Sequence, residues 1–226
     1  MREPSFLQLH QIDSALLAAE AVAGLVSWPA TVSPKFLYDA LGSRLFDAIT
    51  ELDEYYPTRT EAAIFTRRGT DIADAVLGAV GPGSTLVDLG AGNCAKAARL
   101  FDALAPGRYV PVDISVEFLR QAVESLQRHY PVMEMVGVGL DFSGRLALPE
   151  GIVDGRALVF YPGSSIGNFS PVDALRLLRE ARELAAGGAL LIGVDLLKPV
   201  ALLEPAYDDA LGVTGAFNLN LLNHLN

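Results

Sequence analysis

The segment Thr85-Leu86-Val87-Asp88-Leu89-Gly90-Ala91-Gly92-Asn93 restricts the fold of this chain more than any other stretch. It joins an apolar strand, ending in an acid, to a tight turn that holds two glycines. Such a turn bends the backbone sharply and keeps Cβ atoms out of the path of a bulky ligand. About 20 residues on, Tyr109-Val110-Pro111-Val112-Asp113 supplies a second short strand ending in a carboxylate, where folds of this kind hold a ribose diol. An isolated glycine pair would say little, because glycine turns also close ordinary βα units. Strand, glycine turn, helix, strand and acid in series point to a nucleotide-type cofactor bound by Asp88, Gly90, Gly92 and Asp113 on an α/β sheet.

The alternation of short apolar strands and helices runs from Ser84 to about residue 198. Strands are predicted near 85–89, 109–112, 133–140, 157–161 and 189–194, with helices near 94–104, 115–128 and 171–185. Helical connections make the sheet parallel and doubly wound, and Ala189-Leu190-Leu191-Ile192-Gly193-Val194 reads as a strand buried on both faces. Residues from about 12 to 80 read as helices. Ala15 to Val26 is predicted as an amphipathic helix capped by Asp13 and ended by Gly24. Ser33-Pro34 opens a helix over Lys35–Ala40, and Thr60-Glu61 starts a longer one through Ala79. Gly81-Pro82-Gly83 then breaks the chain.

After Lys198 come an acidic turn segment and an apolar, helix-like run from Gly215 to Asn226. The organisation expected is a helical part of a substrate lobe over 1–80, a cofactor-binding α/β domain over 81–198, and a partial return to the substrate lobe over 199–226. Five strands are visible where doubly wound cofactor sheets carry six or seven, so the last sheet strands are expected to be missing from a C-terminally truncated chain. The alternative is a complete small protein with a five-stranded sheet.

Composition narrows the partner. The formal net charge is −10 over 226 residues, and no cluster of Lys and Arg offers phosphate neutralisation, which argues against nucleic acid and against an anionic membrane. A small molecule is expected. The stretch from Ala15 to Val26 is too short to span a bilayer and is interrupted by Glu20. A single cysteine, Cys94, excludes an intramolecular disulfide and a thiolate zinc site and fits the cytoplasm. His10, His129 and His224 show no metal-ligand spacing, and Cys94 has no paired histidine, so neither a metal nor a catalytic nucleophile is expected.

The glycine turn admits two kinds of cofactor. A dinucleotide motif wants a third glycine, and the relaxed pattern permits Ala95 in its place. Asp88 before the turn would repel a pyrophosphate but attract the sulfonium and ammonium of S-adenosylmethionine. The other reading of Asp88 is a helix or loop cap. Asp141-Phe142, after the third predicted strand, offers a carboxylate for an adenine amino group and a ring for its face, although such pairs also end strands for packing reasons. The loop Phe160 to Phe169 follows the fourth predicted strand and is rich in small and hydrogen-bonding residues, with Asn168 able to donate and accept. Tyr55, Tyr56 and Tyr207 lie in settings where tyrosines more often pack than bind.

Taken together these segments resemble the S-adenosylmethionine-dependent histidine Nα-methyltransferases of ergothioneine biosynthesis. The resemblance rests on Ser33-Pro34-Lys35-Phe36-Leu37-Tyr38-Asp39, Gly42-Ser43-Arg44-Leu45-Phe46, Tyr55-Tyr56-Pro57-Thr58-Arg59-Thr60-Glu61 and Gly90-Ala91-Gly92-Asn93-Cys94-Ala95-Lys96. It rests equally on Gly163-Ser164-Ser165-Ile166-Gly167-Asn168 and on Ala206-Tyr207-Asp208-Asp209-Ala210-Leu211-Gly212-Val213-Thr214. It implies a class I methyltransferase, Rossmann-like fold with an added helical lobe. It also implies Gly90, Lys96, Asp113, Asp141 and Phe142 at the cofactor, with Tyr38 near its methionine end. Asn168 and Tyr207 are implied at the α-amino and carboxylate groups of L-histidine, and Tyr56 on the imidazole side. The product would be the trimethylated betaine. In this family the chain continues past the position of Asn226 and supplies further imidazole-binding residues. Three other readings stand beside this one: an N-methyltransferase for another amino acid, a nicotinamide-dependent dehydrogenase, and an inactive, truncated cofactor-binding fragment.

Overall fold

Strands that lie in the middle of a parallel sheet are covered on both faces, and the run Leu86-Val87-Asp88-Leu89 is buried from end to end. The computed structural model describes residues 2–9 and 14–225, and Asp13, expected as a helix cap, lies outside them. In chain order the elements are β1 (Ser5–Gln8), α1 (Ser14–Leu25), α2 (Ala40–Thr50), α3 (Tyr56–Val80), β2 (Thr85–Leu89), α4 (Ala95–Leu104), β3 (Arg108–Asp113) and α5 (Val116–His129). There follow β4 (Glu134–Gly139), β5 (Ala157–Tyr161), α6 (Pro171–Ala185), β6 (Ala189–Ile192), α7 (Val200–Tyr207) and α8 (Val213–Leu225). Single 3₁₀ turns occupy Pro34–Leu37 and Ser165–Asn168.

The chain forms two compact units, residues 1–9 with 57–196, and residues 10–56 with 197–226. In the first, six strands pair in the order β1-β4-β3-β2-β5-β6, and every pairing is parallel. This is a doubly wound, Rossmann-like α/β sheet. Side chains alternate between its faces. Leu86, Tyr109, Met135, Leu158 and Phe160 join Ala73 and Val76 of α3 and Ala97, Leu100 and Phe101 of α4 in one core cluster. Val87, Leu89, Val110, Val112, Val138, Val159 and Tyr161 join Leu177, Ala181 and Ala185 of α6 in the other.

Three differences from the sequence reading concern this unit. The strand expected over 189–194 and buried on both faces spans Ala189–Ile192 at the end of the strand order, with Leu190 exposed. The sheet has six strands, not five, because Ser5–Gln8 adds itself beside β4. Its Phe6 ring fills the space where a Cβ on Gly137 would sit, 2.6 Å from the nearest ring carbon, and Arg120 lies over the same ring at 4.2 Å. Helix α3 begins at Tyr56, not Thr60; Pro57 falls within its first turn, where a missing N–H breaks no helical hydrogen bond.

The second unit is helical. Ile49, Tyr55, Ala206 and Phe217 form its core, with Tyr38 edge-on to both Phe46 and Phe217 at 5.5 Å. Asp39 caps α2 by accepting from Gly42 N at 2.6 Å, and the same oxygen accepts from Asn220 Nδ2 of α8 at 2.7 Å. Residues 35–40, expected as a helix, are instead a 3₁₀ turn followed by this cap. Helix α1 is not amphipathic: Leu16, Val22 and Leu25 are all exposed, and Ala21 alone is buried among its described side chains. Gly24 does not end it in a left-handed turn. Its carbonyl accepts from Thr31 N and Ser27 Oγ, and a Cβ there would collide with the Thr31 carbonyl. Of the segment read as an acidic turn, Val200–Tyr207 is helix α7, which accommodates Pro205 internally, whereas Asp208 and Asp209 lie in the connection that follows it. No helix among the described residues is long and apolar enough to cross a membrane.

Candidate functional site

From β2 the chain builds outward through β3 and β4, then returns to lay β5 and β6 on the other side. The strand order therefore reverses between β2 and β5, and ligands of open α/β sheets bind beyond the carboxyl ends of the strands at such a point. Two loops leave the sheet there, Gly90–Cys94 after β2 and Pro162–Asn168 after β5.

The first loop is locally unusual. Gly90, Gly92 and Cys94 all have positive φ, at 68°, 53° and 61°. Glycine takes this conformation freely; Cys94 takes it with its side chain buried. Gly90 N and Ala91 N both donate to Val112 O, at 2.9 and 3.1 Å, which folds the loop onto the end of β3. Gly92 N donates to Asp113 Oδ2 and Ser115 N to Asp113 Oδ1, each at 2.9 Å. The Asp113 carboxylate is thus set by two backbone donors; burial raises its pKa against their pull. Leu140 N donates to Asp113 O at 3.0 Å, which brings Asp141 beside the end of β3. Asp141 accepts from Ser143 N at 3.0 Å. The Phe142 ring reaches to 3.9 Å from where a Cβ on Gly90 would stand and meets Tyr161 edge-on at 6.0 Å. Gly90, Gly92, Asp113, Asp141 and Phe142 are therefore gathered along one carboxyl edge.

Asp88 is different. It is 1% exposed, on the sheet face covered by α3 and α4, and its Oδ2 accepts from the Tyr109 hydroxyl at 2.8 Å. Its Oδ1 is buried with no hydrogen-bond partner among the described residues. Burial pushes its pKa up to about 7, with the Tyr109 hydrogen bond pulling the other way. The Tyr109 hydroxyl and the Cys94 thiol are likewise raised, chiefly by burial. Asp88 caps no helix; it is a buried acid held by a phenol beneath the glycine turn.

Lys96, in the first turn of α4, pairs with Glu61 of α3, its Nζ 2.8 Å from Oε2. The other oxygen, Oε1, accepts from Gly163 N at 2.7 Å. Glu61 thereby connects the two loops of the switch point. In the sequence Glu61 reads as part of a helix start and of the Tyr55–Glu61 motif, with no part in the site. Its signal was two glycines far away in sequence, since a Cβ on Gly193 would run into Oε1, and one on Gly163 would stand 2.8 Å from Lys96 Nζ. Asn168 is exposed at the end of the second loop, whose Ser164 is fastened by Ser164 N to Gly193 O at 3.1 Å and by Asp195 N to Ser164 Oγ at 2.9 Å.

Tyr38, Tyr56 and Tyr207 belong to the second unit. Tyr38 packs among Phe46 and Phe217, Tyr207 is exposed with its ring edge-on to Tyr55 at 6.0 Å, and Lys198 Nζ stands 4.7 Å from the centre of the Tyr56 ring. Asp209, two residues past Tyr207, accepts from Val213 N and Thr214 N at the start of α8, at 3.0 and 2.7 Å.

What this edge can bind follows from its charges. Glu61 and Asp113 stand against the ammonium of Lys96, while Asp88, expected at the cofactor, is buried beneath the turn with its ionisation suppressed. The N-terminal donors of α4 are already engaged in part, Cys94 N by Ala91 O and Ala95 N by Asn93 Oδ1. A diphosphate would meet net negative charge and few free amides, whereas a cation with hydroxyl donors meets acceptors.

A family profile described as histidine-specific, SAM-dependent methyltransferase matches residues 17–226. The histidine N-alpha-methyltransferase of Mycolicibacterium smegmatis is 43% identical over 97% of this chain and 70% of its own length. That of Mycobacterium tuberculosis is 40% identical over 93% of this chain and 65% of its own. Ergothioneine biosynthesis protein 1 of Neurospora crassa is 33% identical over 88% of this chain, which corresponds to 23% of the fungal protein.

Proposed function

The chain belongs to the family of histidine-specific, SAM-dependent methyltransferases, and on that premise we propose that it methylates the α-amino group of L-histidine to the trimethylated betaine, a step of ergothioneine formation. The observation that carries the cofactor side of this reading is the acid-rich edge at the reversal of strand order, which suits a sulfonium and not a diphosphate. When bound, S-adenosylmethionine would supply a methyl group activated by its sulfonium: as the N–C bond forms the S–C bond breaks, its electron pair stays on sulfur to give a neutral thioether, and the positive charge passes to the amine nitrogen.

Gly90 and Gly92 leave room for the nucleoside, Asp113 accepts from its ribose hydroxyls, and Asp141 with Phe142 receives the adenine. Lys96 and Tyr38 serve the methionine end. Asn168 and Tyr207 hold the amino acid by its α-amino and carboxylate groups, and Tyr56 takes the imidazole side. No strong acid or base is required, because the leaving group is already charged; placement of the amine in line with the methyl carries the rate. The amine must be neutral to attack. Residues that engage the carboxylate while withdrawing the ammonium from water lower its pKa toward neutrality. The small side chains of Gly163-Ser164-Ser165 leave space around a nitrogen that gains methyl groups.

The test is incubation of the purified chain with S-adenosylmethionine and each of a panel of amino acids, read by mass spectrometry for successive additions of methyl. Gains on histidine alone are expected. Methylation of another amino acid in its place would refute the substrate, and calorimetric binding of NAD in preference to S-adenosylhomocysteine would refute the cofactor.

A further inference from the structure

We propose that Glu61 is a positioning residue of the cofactor site: its carboxylate holds the Lys96 ammonium and the first turn of the Gly163–Asn168 loop in one arrangement across the reversal of strand order. The inference rests on the cofactor reading above and concerns a residue to which that reading gives no part.

The geometry is specific. Glu61 comes from α3, outside the sheet, and its side chain is 15% exposed. One oxygen lies 2.8 Å from Lys96 Nζ in the loop-helix after β2; the other accepts from Gly163 N in the loop after β5 at 2.7 Å. The backbone has been cleared on both sides to let the carboxylate through. Gly193, at the end of β6, has no Cβ where one would strike Oε1, and Gly163, at φ 78°, has none where one would crowd Nζ. Gly193 is itself bonded to both neighbours, donating to Tyr161 O at 2.9 Å and accepting from Ser164 N at 3.1 Å.

An ion pair placed only for stability would gain little at a site where Lys96 is 35% exposed. Orientation is the stronger effect. A lysine ammonium has three donors on a flexible stem, and an unanchored one spends its time in water. With the ammonium held against Glu61 by this ion pair, its charge keeps a constant place for an anionic group such as a carboxylate of the cofactor. The same carboxylate pins Gly163, so the loop that ends in Asn168 starts from a fixed point.

A double-mutant cycle on the 226-residue chain tests this by calorimetric titration with S-adenosylhomocysteine. Glu61→Gln keeps an oxygen for the Gly163 N–H and removes the charge that holds Lys96. It is expected to weaken binding roughly tenfold, and in a Lys96→Met background it should add less than about twofold, because the two residues act as one unit. Losses that multiply in the double variant would overturn the proposal. So would a Glu61→Gln protein that melts lower without ligand yet binds S-adenosylhomocysteine as the wild type does, since that is the signature of a purely structural pair. Failure of the wild-type chain to bind S-adenosylhomocysteine would overturn the cofactor reading itself, and the inference with it.

Discussion

The Tyr109 hydroxyl donates to Asp88 Oδ2 at 2.8 Å inside the sheet, one strand away from the glycine turn. Phenol and acid face each other where water does not reach, and the charges around them come from every element packed there: Glu61 of α3, Lys96 of α4 and Asp113 at the end of β3. Burial raises the Asp88 pKa to about 7. Between the ordinary carboxylate range and pH 7 the folded chain therefore holds a proton that the unfolded chain has released. The stability this contributes is complete below about pH 4 and is lost as the pH rises through 7. Asp88→Asn keeps an acceptor for Tyr109 and removes the titration. Scanning calorimetry from pH 4 to 8 should show the wild type losing stability relative to the variant as pH rises, and parallel curves would refute the assignment.

Asn168 ends the loop that Glu61 fastens, and its proposed work is on the amino acid. Asn168→Ala should raise the KM for histidine about tenfold or more, the scale of a lost hydrogen bond to a charged group, with the affinity for S-adenosylhomocysteine nearly unchanged. An equal loss of cofactor affinity would sink that role.

Two glycines of one loop make a controlled comparison. Gly163 has φ 78° and Lys96 Nζ at 2.8 Å from its absent Cβ, whereas Gly167 has ordinary backbone and nothing within 4 Å. Gly163→Ala should cost about 1–2 kcal/mol in urea denaturation from the left-handed backbone alone. Gly167→Ala should leave the midpoint in place.

Asp209 supports the segment that carries Tyr207. Its carboxylate receives the Thr214 and Val213 amides, and these hold its pKa down to about 2. Its contribution is present above the ordinary carboxylate range and is lost as the pH falls through 2. Asp209→Asn should flatten the acid limb of a helix-content titration by circular dichroism; an unchanged limb would count against it.

The α/β unit was legible because its strands obey one simple rule. Runs such as Thr85–Leu89 and Ala157–Tyr161 are mostly apolar, and glycine or proline punctuates their ends, so both appear at their observed bounds. Strand β1 was not legible, since four residues carry too little pattern, and what fixes them is Gly137 in a partner far along the chain. The start of α3 was placed at Thr60 instead of Tyr56, four residues late, because Tyr56-Pro57 carries no capping side chain to mark it. Of the site, the glycine turn, Asp113 and Asp141-Phe142 could be read locally because strand ends place them. Glu61 could not, because its meaning lies in two distant glycines that make way for it.

The pairing of β1 with β4 has a consequence for how the chain folds during synthesis. Ser5 meets Val136, so the strand leaves the ribosome about 130 residues ahead of its partner and stays unpaired while the rest of the sheet is made. Long-range parallel pairing of this kind is slow, and a strand that carries Phe6 and Leu7 without a partner is open to wrong ones. An affinity tag placed before Ser5 should for that reason depress soluble yield more than one placed at the other end of the chain.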